Sequence, residues 1–82
     1  MWIRAQDDIL INMGLVRSIS IHNDYAQVKS FSILAWREID THDEDSHFTV
    51  FQGVEDEGLE VFHSLKRAIA DPKVEWWDID FI

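Results

Sequence analysis

"EDEGLEVFHSLKRAIADP", residues 55–72, carries the helical period on which the fold class turns. Leu59, Phe62, Leu65 and Ile69 recur at three- and four-residue steps, and Val61 and Ala68 widen the stripe. Glu55, Asp56 and Glu57 stand at its start and Lys66 and Arg67 near its end, the order that complements a helix dipole. Asp71-Pro72 stops it, because proline lacks the amide hydrogen and disfavours helical geometry in the residue before it. Gly58 is the weak point, costing about 1 kcal/mol against alanine inside a helix.

Upstream of that helix the chain reads as strands. Trp2–Arg4 and Ile9–Asn12 flank the polar turn Gln6-Asp7-Asp8 and form a hairpin. Asn12-Met13-Gly14 turns the chain again, as residues tolerant of positive φ. In residues 15–22, Leu15, Arg17, Ile19 and Ile21 point one way and Val16, Ser18, Ser20 and His22 the other. A turn at Asn23-Asp24 leads into a long strand, residues 25–39. Val28 lies on one of its faces, Phe31 and Ile33 on the other, and Leu34 and Trp36 on the first again. A bulge near residues 30–33 accounts for that change of parity. Residues 47–53 make a fifth strand. After the helix, residues 73–82 make a sixth, with Trp77, Ile79 and Phe81 on one face. The order βββββαβ predicts an α+β domain: an antiparallel, curled sheet with one amphipathic helix packed on one face. A pleckstrin-homology-like arrangement is compatible with the element order alone.

With 82 residues the chain is expected to form a single domain, residues 1–82. The apolar fraction of 46%, with four Trp and five Phe, is enough for a packed core and argues against disorder. The absence of cysteine excludes disulfides, zinc–thiolate sites and cysteine nucleophiles. No secretory pattern and no membrane-length apolar run is visible, so cytoplasmic residence is expected. A formal charge of −9 disfavours direct binding to nucleic acid or anionic membranes and favours a basic protein partner.

The opening "MWIRAQDDILINMGLVRSISI" resembles a group of short bacterial proteins that begin with an aromatic-Ile-Arg strand, a Gln-Asp turn and an apolar–Asn step. Their terminal helix carries a Val-Leu-x-x-Ile-x-x-Ala-Ile pattern, similar to Val61-Phe62, Leu65 and Ala68-Ile69 here, and a segment comparable to "DPKVEWWDI" follows it. The chain departs in having "GVEDEG" where a Gly-x-Tyr step is expected, and in its "HDEDSH" loop. The group has no assigned chemistry, so the resemblance implies an α+β fold and no catalytic residue.

Two functional readings come from the residues themselves. In "THDEDSH", His42, His47, Asp43, Glu44 and Asp45 supply donors suited to Zn²⁺, Ni²⁺ or Mn²⁺. His42, His47 and Asp45 are the ligands this reading selects. Their spacing matches neither a helical His-x-x-x-His pair nor a calcium loop, which leaves a solvated connection as the plainer reading. Acid–base catalysis needs carboxylates held in a cleft, and these cluster where the chain is most hydrophilic. His22 and His63 are isolated, and His63, between apolar helix positions, is expected to be partly buried. Neither an enzyme nor a cofactor is expected.

The second reading concerns charge. Nine of the sixteen acids lie between Glu38 and Glu60, with no Lys or Arg among them. Glu38, Asp40, Asp43, Glu44 and Asp45 form one cluster and Glu55, Asp56 and Glu57 another, joined by one strand of seven residues. Such a strand spans roughly 23 Å, so the clusters make a stripe fit for a basic protein, in the manner of a nucleic-acid mimic. Trp76-Trp77 place one indole on each face of the last strand, and an indole left outside is a patch for a partner. The same strand offers an edge to a second copy, giving a homodimer. The expectation is a non-enzymatic protein-interaction module; the alternative is a metal-binding protein or metal-dependent enzyme that uses the HDEDSH loop.

Overall fold

The computed structural model describes residues 1–23, 30–37 and 47–81. Its elements are β1 (Trp2–Arg4), β2 (Leu10–Asn12), β3 (Val16–Asn23), β4 (Phe31–Arg37), β5 (His47–Gly53), helix α1 (Glu55–Ala70) and β6 (Trp76–Asp78). The order and the α+β class are those expected. The single curled sheet is not: the strands form two three-stranded sheets, ordered β2-β1-β6 and β3-β4-β5, and neither closes into a barrel of pleckstrin-homology type. The reason lies in the short first hairpin. Its strands have three residues each, and a 3₁₀ turn at Met13–Leu15 redirects the chain before β3. After α1 the chain returns alongside β1, so β6 pairs parallel to it, with Ile3 opposite Trp77.

The β1–β2 turn has both Asp7 and Asp8 at positive φ, 64° and 60°, in the left-handed region that aspartate tolerates better than most residues. The Ala5 N–H closes it on the Ile9 carbonyl at 2.7 Å. The second turn works differently from expectation. Neither Asn12 nor Gly14 adopts positive φ; the Asn12 side chain instead accepts the Gly14 N–H at 3.0 Å and holds a 3₁₀ turn.

Register irregularities set which side chains enter the core. Between β4 and β5 the pairing steps from Ile33–Phe51 to Leu34–Thr49, leaving Val50 as the extra residue. Val50 and Phe51 are consequently both buried although consecutive. The bulge expected near residues 30–33 is therefore on the partner strand. β4 itself keeps one parity, with Phe31, Ile33 and Ala35 buried. A second irregularity makes Arg17 the extra residue of β3, which lets both Val16 and Ile19 pack against the core.

The helix is rotated from the expected stripe. Gly58, Val61 and Leu65 are its buried positions, while Leu59 and Ile69 are 37% and 46% exposed. A Cβ on Gly58 would overlap the Phe31 ring, so glycine here permits a close helix–sheet approach. That approach draws the Gly58 face inward, and His63, on the far side, is exposed and not partly buried. The helix ends at Ala70, where Asp71 accepts the Lys73 N–H at 2.9 Å.

The last strand is shorter than expected. Only Trp76–Asp78 is extended, and Ile79–Phe81 turns away as 3₁₀ helix. Trp77 fills the core at 2% exposure, its Nε1 donating to Ser64 Oγ of α1 at 3.0 Å. The two sheets are stitched by Gln6. Its Nε2 donates to the Gln52 carbonyl at 3.2 Å, and its Oε1 accepts the Gln52 N–H at 2.8 Å. One side-chain amide thus caps the outer edge of β5 as a strand would.

Candidate interaction surfaces

Side chains alternate across β2-β1-β6, so Ile3, Ile11 and Trp77 face the core while Trp2, Arg4, Leu10, Asn12, Trp76 and Asp78 share the outer face. Trp2 and Trp76 sit opposite one another on neighbouring strands and are 47% and 44% exposed. Of the adjacent pair singled out in the sequence, Trp76 is thus on the surface. Trp77 is a core residue and offers no surface to a partner.

Beside the indoles lies an ion network. The Arg4 guanidinium donates to Asp8 at 2.8 Å, to Asp78 at 2.6 Å and to Asp80 at 2.9 Å, joining the hairpin turn, β6 and the last 3₁₀ turn. The Asp80 backbone N–H, at 2.9 Å, and then Arg4 hold the Asp78 carboxyl below its usual value, outweighing a desolvation that pushes it up. This network fixes the edge on which Trp76 stands.

Of the expected acidic stripe only the helix end lies among the described residues. Glu55, Asp56, Glu57 and Glu60 are all exposed on the first turns of α1, reached by a β5 of seven residues. Glu38, Asp40, His42, Asp43, Glu44 and Asp45 lie outside the described residues. His47, the remaining ligand of the metal reading, opens β5. Its ring stands 4.8 Å from Trp36, whose Nε1 donates to Ser20 Oγ at 2.7 Å. His47 Nδ1 is buried and has no hydrogen-bond partner among the described residues. Among the described residues no group of three or more His, Asp or Glu is placed to hold a metal ion.

A third surface escaped the sequence reading. Between the second half of α1 and β3 runs an open groove of about 520 Å³, lined by Met1, Met13, Val16, Arg17, Ile19 and Ile69 among others. A smaller hollow of about 220 Å³ continues it, sharing Ile19 and Ile69 and adding Phe62, Leu65 and Lys66. Ile69 lies one turn beyond Leu65 on the same helix face, yet remains half exposed because the core ends beneath it. The available signal was the run from Ile9 to Asn23, fifteen residues without one acid in a chain of charge −9.

Comparison of the chain with protein-family models, with curated proteins and with solved structures gives no match. The likeness to short bacterial proteins therefore rests on its residues alone. No helix among the described residues is long and apolar enough to cross a membrane.

Proposed function

We propose that the chain is a non-enzymatic protein-interaction module that engages its partner through the outer face of the β2-β1-β6 sheet. The observation that carries this reading is the pair Trp2 and Trp76, neighbours in register and each nearly half exposed. Two indoles on one rigid face supply the large, low-entropy apolar contacts that dominate protein interfaces. The Arg4–Asp8–Asp78–Asp80 network holds the strands beneath them, so little ordering is left to be done on binding. The test is quantitative capture from native cell extract with the wild type and with Trp2→Ala/Trp76→Ala. A protein enriched by the first and lost with the second supports the reading; an unchanged captured set refutes it.

A second reading, a basic partner held by the acidic stripe, is favoured by the four exposed carboxylates at the start of α1. It differs in salt dependence. Binding through the stripe weakens steeply as salt screens the charges, whereas binding through the indoles changes little. The metal alternative rests on His42 and Asp45 with His47, and a calorimetric titration with Zn²⁺ and Ni²⁺ that gives no heat removes it.

A further inference from the structure

The β3-β4-β5 sheet has two unlike edges. The β5 edge is met at Gln52 by the Gln6 amide, while β3 pairs only with β4 among the described residues. β3 has eight residues and a span of roughly 27 Å, and among the described residues its backbone beyond Val16, whose N–H donates to the Met13 carbonyl, pairs with β4 alone. The extra residue at Arg17 bends one end, which leaves Ser18–Asn23 as the regular stretch. Its first residues, Ser18 and Ile19, line the groove under Ile69 together with Val16 and Arg17 of the bent end.

The chemistry of the groove selects its occupant. Its walls are apolar through Val16, Ile19, Phe62 and Ile69, and its charged side chains are Arg17 and Lys66, with no carboxylate among its lining residues. In a chain of charge −9 this is a local reversal of sign. A free strand edge binds extended backbone, an apolar trough binds alternate side chains of that backbone, and two cations bind carboxylates. We propose that β3 and this groove bind an extended peptide segment of a partner protein, added as a fourth strand beyond β3, whose groove-facing side chains, every second residue, are apolar and acidic in turn. The site is separate from the Trp2–Trp76 face. A second copy's β3 fits less well, because Val16–Asn23 holds no acid to meet Arg17 or Lys66.

The test uses fluorescence polarisation with a labelled peptide of three Val-Ser-Glu-Ser repeats, in which Val and Glu share one face of the strand. Its controls are repeats of Val-Ser-Lys-Ser and of Ser-Ser-Glu-Ser. The expected result is binding of the Val/Glu peptide at least tenfold tighter than either control. Arg17→Glu/Lys66→Glu should weaken it at least tenfold, and so should Ile69→Asp, with melting curves confirming that both variants fold. N-methylation of alternate residues separates strand pairing from simple apolar adhesion. The set facing β3 should abolish binding, and the set facing away should leave it intact. Equal binding of the Val/Glu and Val/Lys peptides, or equal effects of both N-methyl sets, overturns the proposal. So does a dimer of the free chain that Ile69→Asp dissociates, which would assign this face to a second copy.

Discussion

Gly58→Ala sets two effects of similar size against each other, and the structure decides between them. Alanine gains about 1 kcal/mol of helix propensity over glycine, and Gly58 occupies the first turns of a 16-residue helix. Against that, the new Cβ meets Phe31 at its Cδ1, at its Cε1 and, 3.0 Å away, at its Cγ. Phe31 is 2% exposed and held within the core. Overpacking of a closed core costs about 1–3 kcal/mol, and three contacts on one ring put this case toward the upper end. The net expectation is a loss of about 1–2 kcal/mol. Each kcal/mol moves Tm by about 4–8 °C in a domain of this size, so thermal unfolding should shift down by about 4–16 °C. The same substitution in a Phe31→Leu background separates the two effects. There the ring is gone, and alanine should be neutral or stabilising, with a coupling above about 1 kcal/mol between the positions. A rise in Tm for Gly58→Ala in the wild type, or the same shift in both backgrounds, refutes the close approach of helix and sheet.

Three further outcomes follow from local geometry. Asp7 holds φ 64° without a glycine's freedom, so Asp7→Gly should stabilise by about 0.5–1 kcal/mol in urea unfolding, and a lower midpoint contradicts the turn. His47→Phe replaces a buried nitrogen that has no partner among the described residues by carbon against Trp36 and should stabilise by about 1 kcal/mol; a loss shows that Nδ1 has a partner. The Asp78 carboxyl titrates below its usual value in the folded chain. It therefore contributes stability that is fully present above the ordinary carboxylate value and is lost as pH falls through the depressed folded value. The urea midpoints of wild type and Asp78→Asn should accordingly converge on acidification, and a constant gap contradicts the Arg4–Asp78–Asp80 geometry.

What the sequence disclosed was local. The helix with its acidic start and its Asp71-Pro72 stop, the first hairpin and the element order were all legible from period and turn chemistry. What it hid was set by pairing between distant segments. Nothing in "KVEWWDIDFI" says that β6 joins β1 in parallel and so divides the strands between two sheets. Nor does the alternation of residues 47–53 show Val50 as an extra residue, because a bulge is a property of two strands together. Gly58 read as a defect since its reason, the Phe31 ring, lies 27 positions away. Among the candidate residues, the adjacency of Trp76 and Trp77 did place one indole inside and one outside. That the outer one stands beside Trp2 follows only from the parallel register.

The central claim is that Trp2 and Trp76 are covered by a partner in the cell, and oxidative footprinting tests it directly. Wild-type chain is exposed to hydroxyl radicals in buffer and in native cell extract, and the modification of each tryptophan is read by mass spectrometry. Trp2 and Trp76 should be oxidised in buffer and protected in extract, while Trp77, buried in both, stays unmodified. Equal oxidation of Trp2 and Trp76 in the two conditions would contradict the assignment of this face to a partner.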